Sequence, residues 1–136
     1  MSRNPRRVPA RIQDMLEATR NARSDMGDLS KEEFLVDGKT QRAVIASIVV
    51  IGEAANHIMR LDPSIEQTNP RLWQQLRDSY DMRIVLTHEY FRVDAAIVWT
   101  TVKNHLPQLE SLLITFSDQD DRCGNESRGS SAGGAA

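Results

Sequence analysis

Apolar residues recur at helical spacing along most of the chain, and no alternating strand pattern stands out. The first helical pattern occupies residues 9–28. Ser30-Lys31-Glu32-Glu33 follows as a capping box, which predicts the start of a short second helix. A third pattern runs from about Lys39 to Leu61 and ends at Asp62-Pro63. The centre of this third segment is so apolar that it is predicted to be the central helix of a bundle.

Two more helices are predicted in the second half of the chain. Asn69-Pro70 is typical of a helix start, with asparagine as the cap and proline in the first turn. Asp94 is predicted to cap the last helix, whose apolar pattern reaches Phe116 and contains Pro107, a residue expected to kink it. The predicted fold is therefore all-α, an antiparallel bundle of four long helices plus a short one with short connections.

The pattern divides the chain into one domain and two terminal segments. Residues 9–116 form the predicted helical domain, and residues 117–136, which are polar and rich in Ser, Gly and Ala, are predicted to be disordered. Residues 1–8 form a basic arm. The arginines of this region are Arg3, Arg6, Arg7 and Arg11. They fit either a local patch for nucleic acid or a solvated, frayed end.

Composition and charge narrow the classes of protein. With 136 residues, of which 40% are hydrophobic, the chain can bury one real core, and a formal charge of −2 gives no global basic field for nucleic acid. Cys123 is the single cysteine, so neither an intrachain disulfide nor a cysteine zinc site is expected. The longest apolar run, roughly Val44 to Ile51, is too short to span a bilayer, and no signal peptide is apparent. We expect a cytoplasmic protein without a membrane partner.

The segment 82–94, MRIVLTHEYFRVD, concentrates the candidate chemistry. Arg83, His88 and Tyr90 lie within eight residues. On a regular helix Arg83 and His88 point about 140° apart, whereas Arg83 and Tyr90 share a face. We predict that His88 lies near the end of the helix that starts at Pro70, where the angular restriction is relaxed and long side chains can converge on a cleft.

Such a trio could cleave a phosphodiester bond. Arginine provides a planar, permanently charged fork for phosphate, and histidine can transfer a proton near neutral pH. RNA carries its own nucleophile, the 2′-hydroxyl, and the chain has no convincing carboxylate or histidine cluster for a metal, so neither a metal nor another cofactor is expected. The same spacing also fits a helix with a few polar residues on its solvent side, which the residues alone do not exclude.

The segment resembles the signature of the HEPN superfamily, and more closely that of HepT-type toxins of bacterial and archaeal toxin–antitoxin pairs. The motif of that family is arginine, four residues, histidine, any residue and tyrosine, which Arg83, His88 and Tyr90 match position for position. The resemblance covers roughly residues 10–115. Other stretches that carry it are Ile51-Gly52-Glu53-Ala54-Ala55, Trp73, Tyr90-Phe91-Arg92-Val93-Asp94, Val98-Trp99 and Leu106-Pro107-Gln108-Leu109.

This resemblance implies a metal-independent ribonuclease that acts as a homodimer, with Arg83 and His88 of both subunits lining a shared cleft. Arg83 would bind phosphate and stabilise the transition state, and His88 would transfer protons. The implied partner is an MntA-like minimal nucleotidyltransferase antitoxin of a type VII toxin–antitoxin system. It would transfer AMP to Tyr90, which lines the site, and so block RNA.

Two positions depart from the family pattern. Residue 84, often asparagine in the family, is Ile84, and residue 81, often glycine, is Asp81. An acid two residues before the arginine could pair with it or repel phosphate. The alternative to a ribonuclease is therefore a non-catalytic HEPN module that binds nucleotides or its partner. A plain helical dimerisation domain is a third interpretation.

The remaining polar residues have simpler interpretations. Glu53 follows Gly52 inside an apolar helix, where a charge is costly unless paired, and one of its interpretations is that it holds an arginine, within the chain or across a dimer. Gly52 would also allow close helix contact. Arg92, next to Tyr90, is the best additional candidate for a phosphate contact. The residues predicted to be structural are His57, His105, Trp73 and Trp99.

Overall fold

The computed structural model describes residues 7–88 and 94–119, and this part of the chain contains six helical segments, four of them long. The first five are α1 (Arg7–Met26), α2 (Lys31–Leu35), α3 (Gly38–Leu61), α4 (Ile65–Thr68) and α5 (Pro70–His88). The sixth consists of α6 (Ala95–Thr100), a π-helical turn (Thr101–His105) and α7 (106–119), which follow one another without a break. The prediction of an all-α bundle is confirmed, and α4 is an additional short helix that the sequence patterns did not predict.

Helix α3 is the centre of the bundle, as its apolar pattern predicts. It packs against α1 on one side and α5 on the other. Its buried residues are Val44, Ile48, Ile51, Gly52, Ala54, Ala55 and Ile58. By length and composition α3 could also cross a bilayer, since its most apolar window has a mean hydropathy of 1.4. Its packing between two helices accounts for the same composition in a bundle core.

Side-chain hydrogen bonds cap the N-termini of three helices at the starts that the sequence predicts. The Ser30 hydroxyl accepts a hydrogen bond from the Glu33 amide at 3.1 Å, and the Glu33 carboxylate accepts one from the Ser30 amide at 2.9 Å, so the capping box is confirmed. Asn69 and Asp94 accept bonds from the backbone of Leu72 and Ala96 in the same way. These contacts satisfy backbone donors that have no partner within the helix.

Pro107 is accommodated by the π-helical turn that precedes it. Proline has no amide hydrogen and its ring disturbs the preceding turn of an α-helix. Here the Leu106 amide donates to the carbonyl of Thr101, five residues back, instead of four. The helix is therefore locally widened just before Pro107, where the sequence predicts a kink, and Val102, Leu106 and Leu109 stay buried.

The described helices reach slightly beyond the predicted domain, since α1 begins at Arg7 and α7 continues to residue 119. Most of the predicted basic arm and polar tail lies outside the described residues. Glu110 pairs with both Arg20 and Arg23, and these contacts join α7 to α1.

Candidate active site

Gly52 brings α3 and α5 into close contact beside the candidate arginine. A Cβ atom at this position would lie 2.3 Å from the Cβ of Arg83 and 2.8 Å from the carbonyl oxygen of Ser79. Real Cβ atoms do not come that close, so only glycine fits without a shift of one helix. The predicted close helix contact is therefore confirmed, and it lies within the chain. Its consequence is that the stem of Arg83 rests directly on the backbone of α3.

The next residue of α3, Glu53, binds the guanidinium of Arg83. Nη2 of Arg83 donates to Glu53 Oε1 at 2.7 Å, and Nε donates to the same oxygen at 3.1 Å. The side chain of Arg83 is 27% exposed and that of Glu53 is 50% exposed. The prediction that Glu53 holds an arginine is thus confirmed, with a partner in the same chain. Arg83 is partly covered along its stem but still reachable at its charged end.

His88 is exposed and is the last described residue of α5 (Pro70–His88), the helix in which the sequence predicts it. The Thr87 hydroxyl donates to the carbonyls of Arg83, at 2.9 Å, and Ile84, at 3.2 Å. It thereby satisfies acceptors in the last turn of the helix. Arg83 and His88 lie on one helix, five residues apart. In the described part of the chain the guanidinium of Arg83 donates to Glu53. Tyr90 and Arg92, the other two predicted site residues, lie outside the described residues.

The two departures from the family motif, Asp81 and Ile84, lie on α5 near Arg83. Asp81 is exposed, and two residues along a helix place its side chain roughly 200° from that of Arg83. The acid that pairs with Arg83 is Glu53, from a different helix. Ile84 is half-buried on α5. Of the possible effects of Asp81, pairing with Arg83 is therefore not observed in the described part of the chain.

A groove of about 610 Å³ runs between α1 and α3 on the side of Glu53. Its polar lining includes Glu53 and the exposed His57 of α3, with Arg11, Glu17 and Asn21 of α1. The groove adds polar groups of both charge signs next to the Arg83–Glu53 pair. The sequence did not predict this groove, because no local motif relates residues on α1 to residues on α3.

A second groove, of about 590 Å³, separates α5 from α6 and the π-helical turn. It is lined by apolar side chains such as Met82 and Ile97 and by His105. Burial lowers the pKa of His105 from its ordinary value of 6.5, while the nearby carboxylate of Asp78 acts in the opposite direction. Among residues 7–88 and 94–119, no three His, Cys, Asp or Glu side chains form a group that could hold a metal ion.

Comparisons with known proteins assign the chain to a protein family. The family model described as Ribonuclease HepT-like matches residues 15–116, which include most of the bundle, the Arg83–Glu53 pair and His88. The chain therefore belongs to the HepT-like ribonuclease family, and the family predicted from the motif is confirmed. No solved structure gives a significant match to this chain.

Two relatives illustrate the similarity. A protein named "Probable ribonuclease HepT" from Thermococcus cleftensis is 36% identical over 103 residues, covering 73% of this chain and 86% of that protein. A protein named "Putative RNase" from Methanocaldococcus jannaschii is 32% identical over 122 residues, covering 84% of this chain and 93% of that protein. Both alignments extend over most of the helical bundle, so the similarity is not confined to the short motif.

Proposed function

We propose that this chain is a metal-independent endoribonuclease, with Arg83 as the phosphate-binding and transition-state-stabilising group and His88 as the proton-transfer group. The observation that supports the proposal most directly is how the Arg83 side chain is held. It is anchored at its stem by the Gly52 contact, is accessible at its charged end, and lies in a segment that matches a ribonuclease family. Guanidinium forks are well suited to phosphate oxygens and to charge that develops on phosphorus.

The proposed reaction uses the RNA 2′-hydroxyl as the nucleophile. Its oxygen forms a bond to phosphorus, the bond from phosphorus to the 5′-oxygen breaks, and Arg83 stabilises the charge on the phosphoryl oxygens. One imidazole takes the proton from the 2′-hydroxyl, and a second, protonated imidazole gives a proton to the leaving 5′-oxygen. The products are a 2′,3′-cyclic phosphate and a 5′-hydroxyl. Arg92 is an additional candidate for a phosphate contact.

The need for two imidazoles supports a homodimer. One His88 cannot easily act on opposite sides of the phosphate, whereas a two-fold axis through a shared cleft would supply a second copy of each group. This proposal is tested by sedimentation of the purified chain at micromolar concentration. A monomer that still cuts RNA would refute the shared cleft.

The test of the reaction is incubation with RNA in the presence of a chelator. We expect cleavage, with cyclic phosphate and 5′-hydroxyl ends, and a loss of about 100-fold or more in His88→Ala, since that is the usual contribution of general acid–base catalysis. His57→Ala is the matched control, because His57 is also an exposed histidine on a helix of the bundle. Cleavage that appears only after magnesium or manganese is added would refute the metal-independent mechanism.

We further propose that the enzyme is the cytoplasmic toxin of a type VII toxin–antitoxin system, neutralised by an MntA-like minimal nucleotidyltransferase. The hydroxyl of Tyr90 would attack the α-phosphorus of ATP and release pyrophosphate, which leaves AMP on the tyrosine. The added phosphate would compete for Arg83 and repel RNA. The match of Tyr90 to the family motif supports this proposal. The proposed toxin has no membrane partner.

The regulatory proposal is tested by co-expression with the nucleotidyltransferase. The peptide containing Tyr90 should gain the mass of AMP, and ribonuclease activity should fall as occupancy rises. Tyr90→Phe should keep the ring but escape neutralisation. If the partner silences Tyr90→Phe completely and no mass is added anywhere, simple steric binding would replace covalent modification.

A further inference from the structure

The carboxylate of Glu53 occupies one particular edge of the Arg83 guanidinium. A guanidinium has five N–H donors in a rigid plane, arranged along a side edge and an end edge. Nε and Nη2 of Arg83, the two nitrogens of the side edge, both donate to Oε1 of Glu53, at 3.1 Å and 2.7 Å. The end edge, formed by Nη1 and Nη2, therefore faces away from the carboxylate. A bidentate contact with phosphate can form there without breaking the bonds to Glu53.

The same helix contact that anchors the stem of Arg83 also sets the position of Glu53. Gly52 lies against the Cβ of Arg83 and the carbonyl of Ser79, and Glu53 is the next residue in the chain. The two ends of the arginine side chain are thus held by consecutive residues of α3. A long, flexible side chain is restricted at both its root and its charged group.

We infer that Glu53 is a positioning residue for Arg83 in the ribonuclease reaction, one that turns the end edge of the guanidinium toward the scissile phosphate. This inference rests on the proposed function. Displacement of a catalytic group by about 1 Å can lower a reaction rate by about 100-fold, so orientation of a flexible arginine has a large effect on turnover.

The position of Glu53 also carries an electrostatic cost. A half-exposed carboxylate within hydrogen-bonding distance of the phosphate-binding group repels the RNA backbone. Glu53 should therefore weaken substrate binding while it accelerates the chemical step. A carboxylate that served only to join α3 to α5 would still repel RNA and contribute to stability, but its loss would leave kcat unchanged.

The experiment compares Glu53→Ala, Glu53→Gln and Glu17→Ala. Glu17 lines the same groove between α1 and α3, so its removal deletes the same charge without touching Arg83. Steady-state cleavage of a single-stranded oligoribonucleotide in chelator gives kcat and KM for each full-length variant. Urea denaturation of the same samples shows whether any change in activity follows from a change in stability.

We expect kcat of Glu53→Ala to fall by about 10- to 100-fold while KM also falls. Glu53→Gln should have an intermediate kcat, because its amide oxygen can still accept from Arg83. Glu17→Ala should keep the kcat of the wild type. A wild-type kcat in Glu53→Ala would overturn the inference, and so would a loss of activity that matches the unfolded fraction of the sample.

A second measurement does not depend on catalysis. In nitrogen-15 spectra the Nε–H resonance of Arg83 should be protected from exchange in the wild type and in Glu17→Ala, and should lose that protection in Glu53→Ala. If wild-type protein leaves RNA uncut, the proposed function fails. In that case the exchange measurement still tests Glu53. An unprotected Nε–H resonance in the wild type would refute Glu53 as the group that orients Arg83, and protection that is lost in Glu53→Ala would support it.

Discussion

Replacement of Gly52 by alanine is the sharpest test of the contact between α3 and α5. The new methyl group would lie 2.3 Å from the Cβ of Arg83 and 2.8 Å from the carbonyl oxygen of Ser79. Carbon atoms in contact are separated by about 3.5–4.0 Å, so the two Cβ atoms must move apart by roughly 1.2–1.7 Å. Neither neighbouring atom is the end of a flexible side chain, which means that rotation about a side-chain bond cannot relieve the overlap.

Two opposing effects determine the change in stability. An alanine inside a helix is favoured over glycine by about 1 kcal/mol, whereas overpacking of a tight contact costs about 1–3 kcal/mol. Because the overlap involves backbone, we expect the cost of overpacking to exceed the gain in helix propensity. The free energy of unfolding of Gly52→Ala should therefore fall by about 1–2 kcal/mol. The displacement should also move Arg83, so that ribonuclease activity falls by about 100-fold even in the folded fraction.

Urea denaturation and a cleavage assay on the same preparations measure both quantities. Gly38→Ala is the matched control, because a Cβ there would meet only the tip of Arg42, at 3.2 Å from Nη1, and that tip can swing away. Gly38→Ala should therefore keep both stability and activity. The reasoning is refuted if Gly52→Ala is as stable as the wild type and equally active, since the helices could not then be in the contact described.

Three further predictions concern the bundle. Because burial lowers the pKa of His105, the unfolded chain binds a proton at this histidine more readily than the folded chain does, so the free energy of unfolding should fall as the pH drops below about 6.5. His105→Gln should weaken this dependence of the free energy of unfolding on pH, measured by urea titrations at pH 5 to 8. An unchanged pH dependence would contradict the role given to His105. Ser30→Ala should lower stability by about 1 kcal/mol through loss of the capping box, and an unchanged denaturation midpoint would count against it. Leu113→Ala, at a fully buried position of α7, should cost about 2–5 kcal/mol in the same measurement, whereas a loss below about 1 kcal/mol would show that the site is not tightly packed.

Helix type and most helix starts could be predicted because they depend on local chemistry. The capping box at Ser30, the start at Asn69-Pro70 and the cap at Asp94 are each encoded within four residues. Apolar spacing identified α3 as central, because only a helix covered on several sides can have so apolar a centre. The sequence predicts His88 near the end of α5 for a comparable reason, since the next capping signal, Asp94, begins another helix.

The features that could not be predicted depend on contacts between distant residues or on backbone hydrogen-bond register. The sequence indicates that Glu53 needs a cationic partner, but Arg83 lies 30 residues away and the chain has 17 lysines and arginines to choose from. Similarly, Pro107 predicts a kinked helix, whereas the widening observed in the preceding turn depends on the register of backbone hydrogen bonds, which the sequence pattern does not specify. The short helix α4 was missed because four residues are too few to show a helical period.

The π-helical turn makes the length of the last helical segment more important than its composition. Each residue of a helix advances the chain by roughly 100° around the axis, so a single deletion between Thr101 and His105 would rotate α7 by about that angle relative to α6. Leu106, Leu109 and Leu113 would then leave the core together. Related chains that keep this bundle should therefore vary in the exposed side chains of the turn, at Lys103 and Asn104, yet rarely gain or lose a residue there.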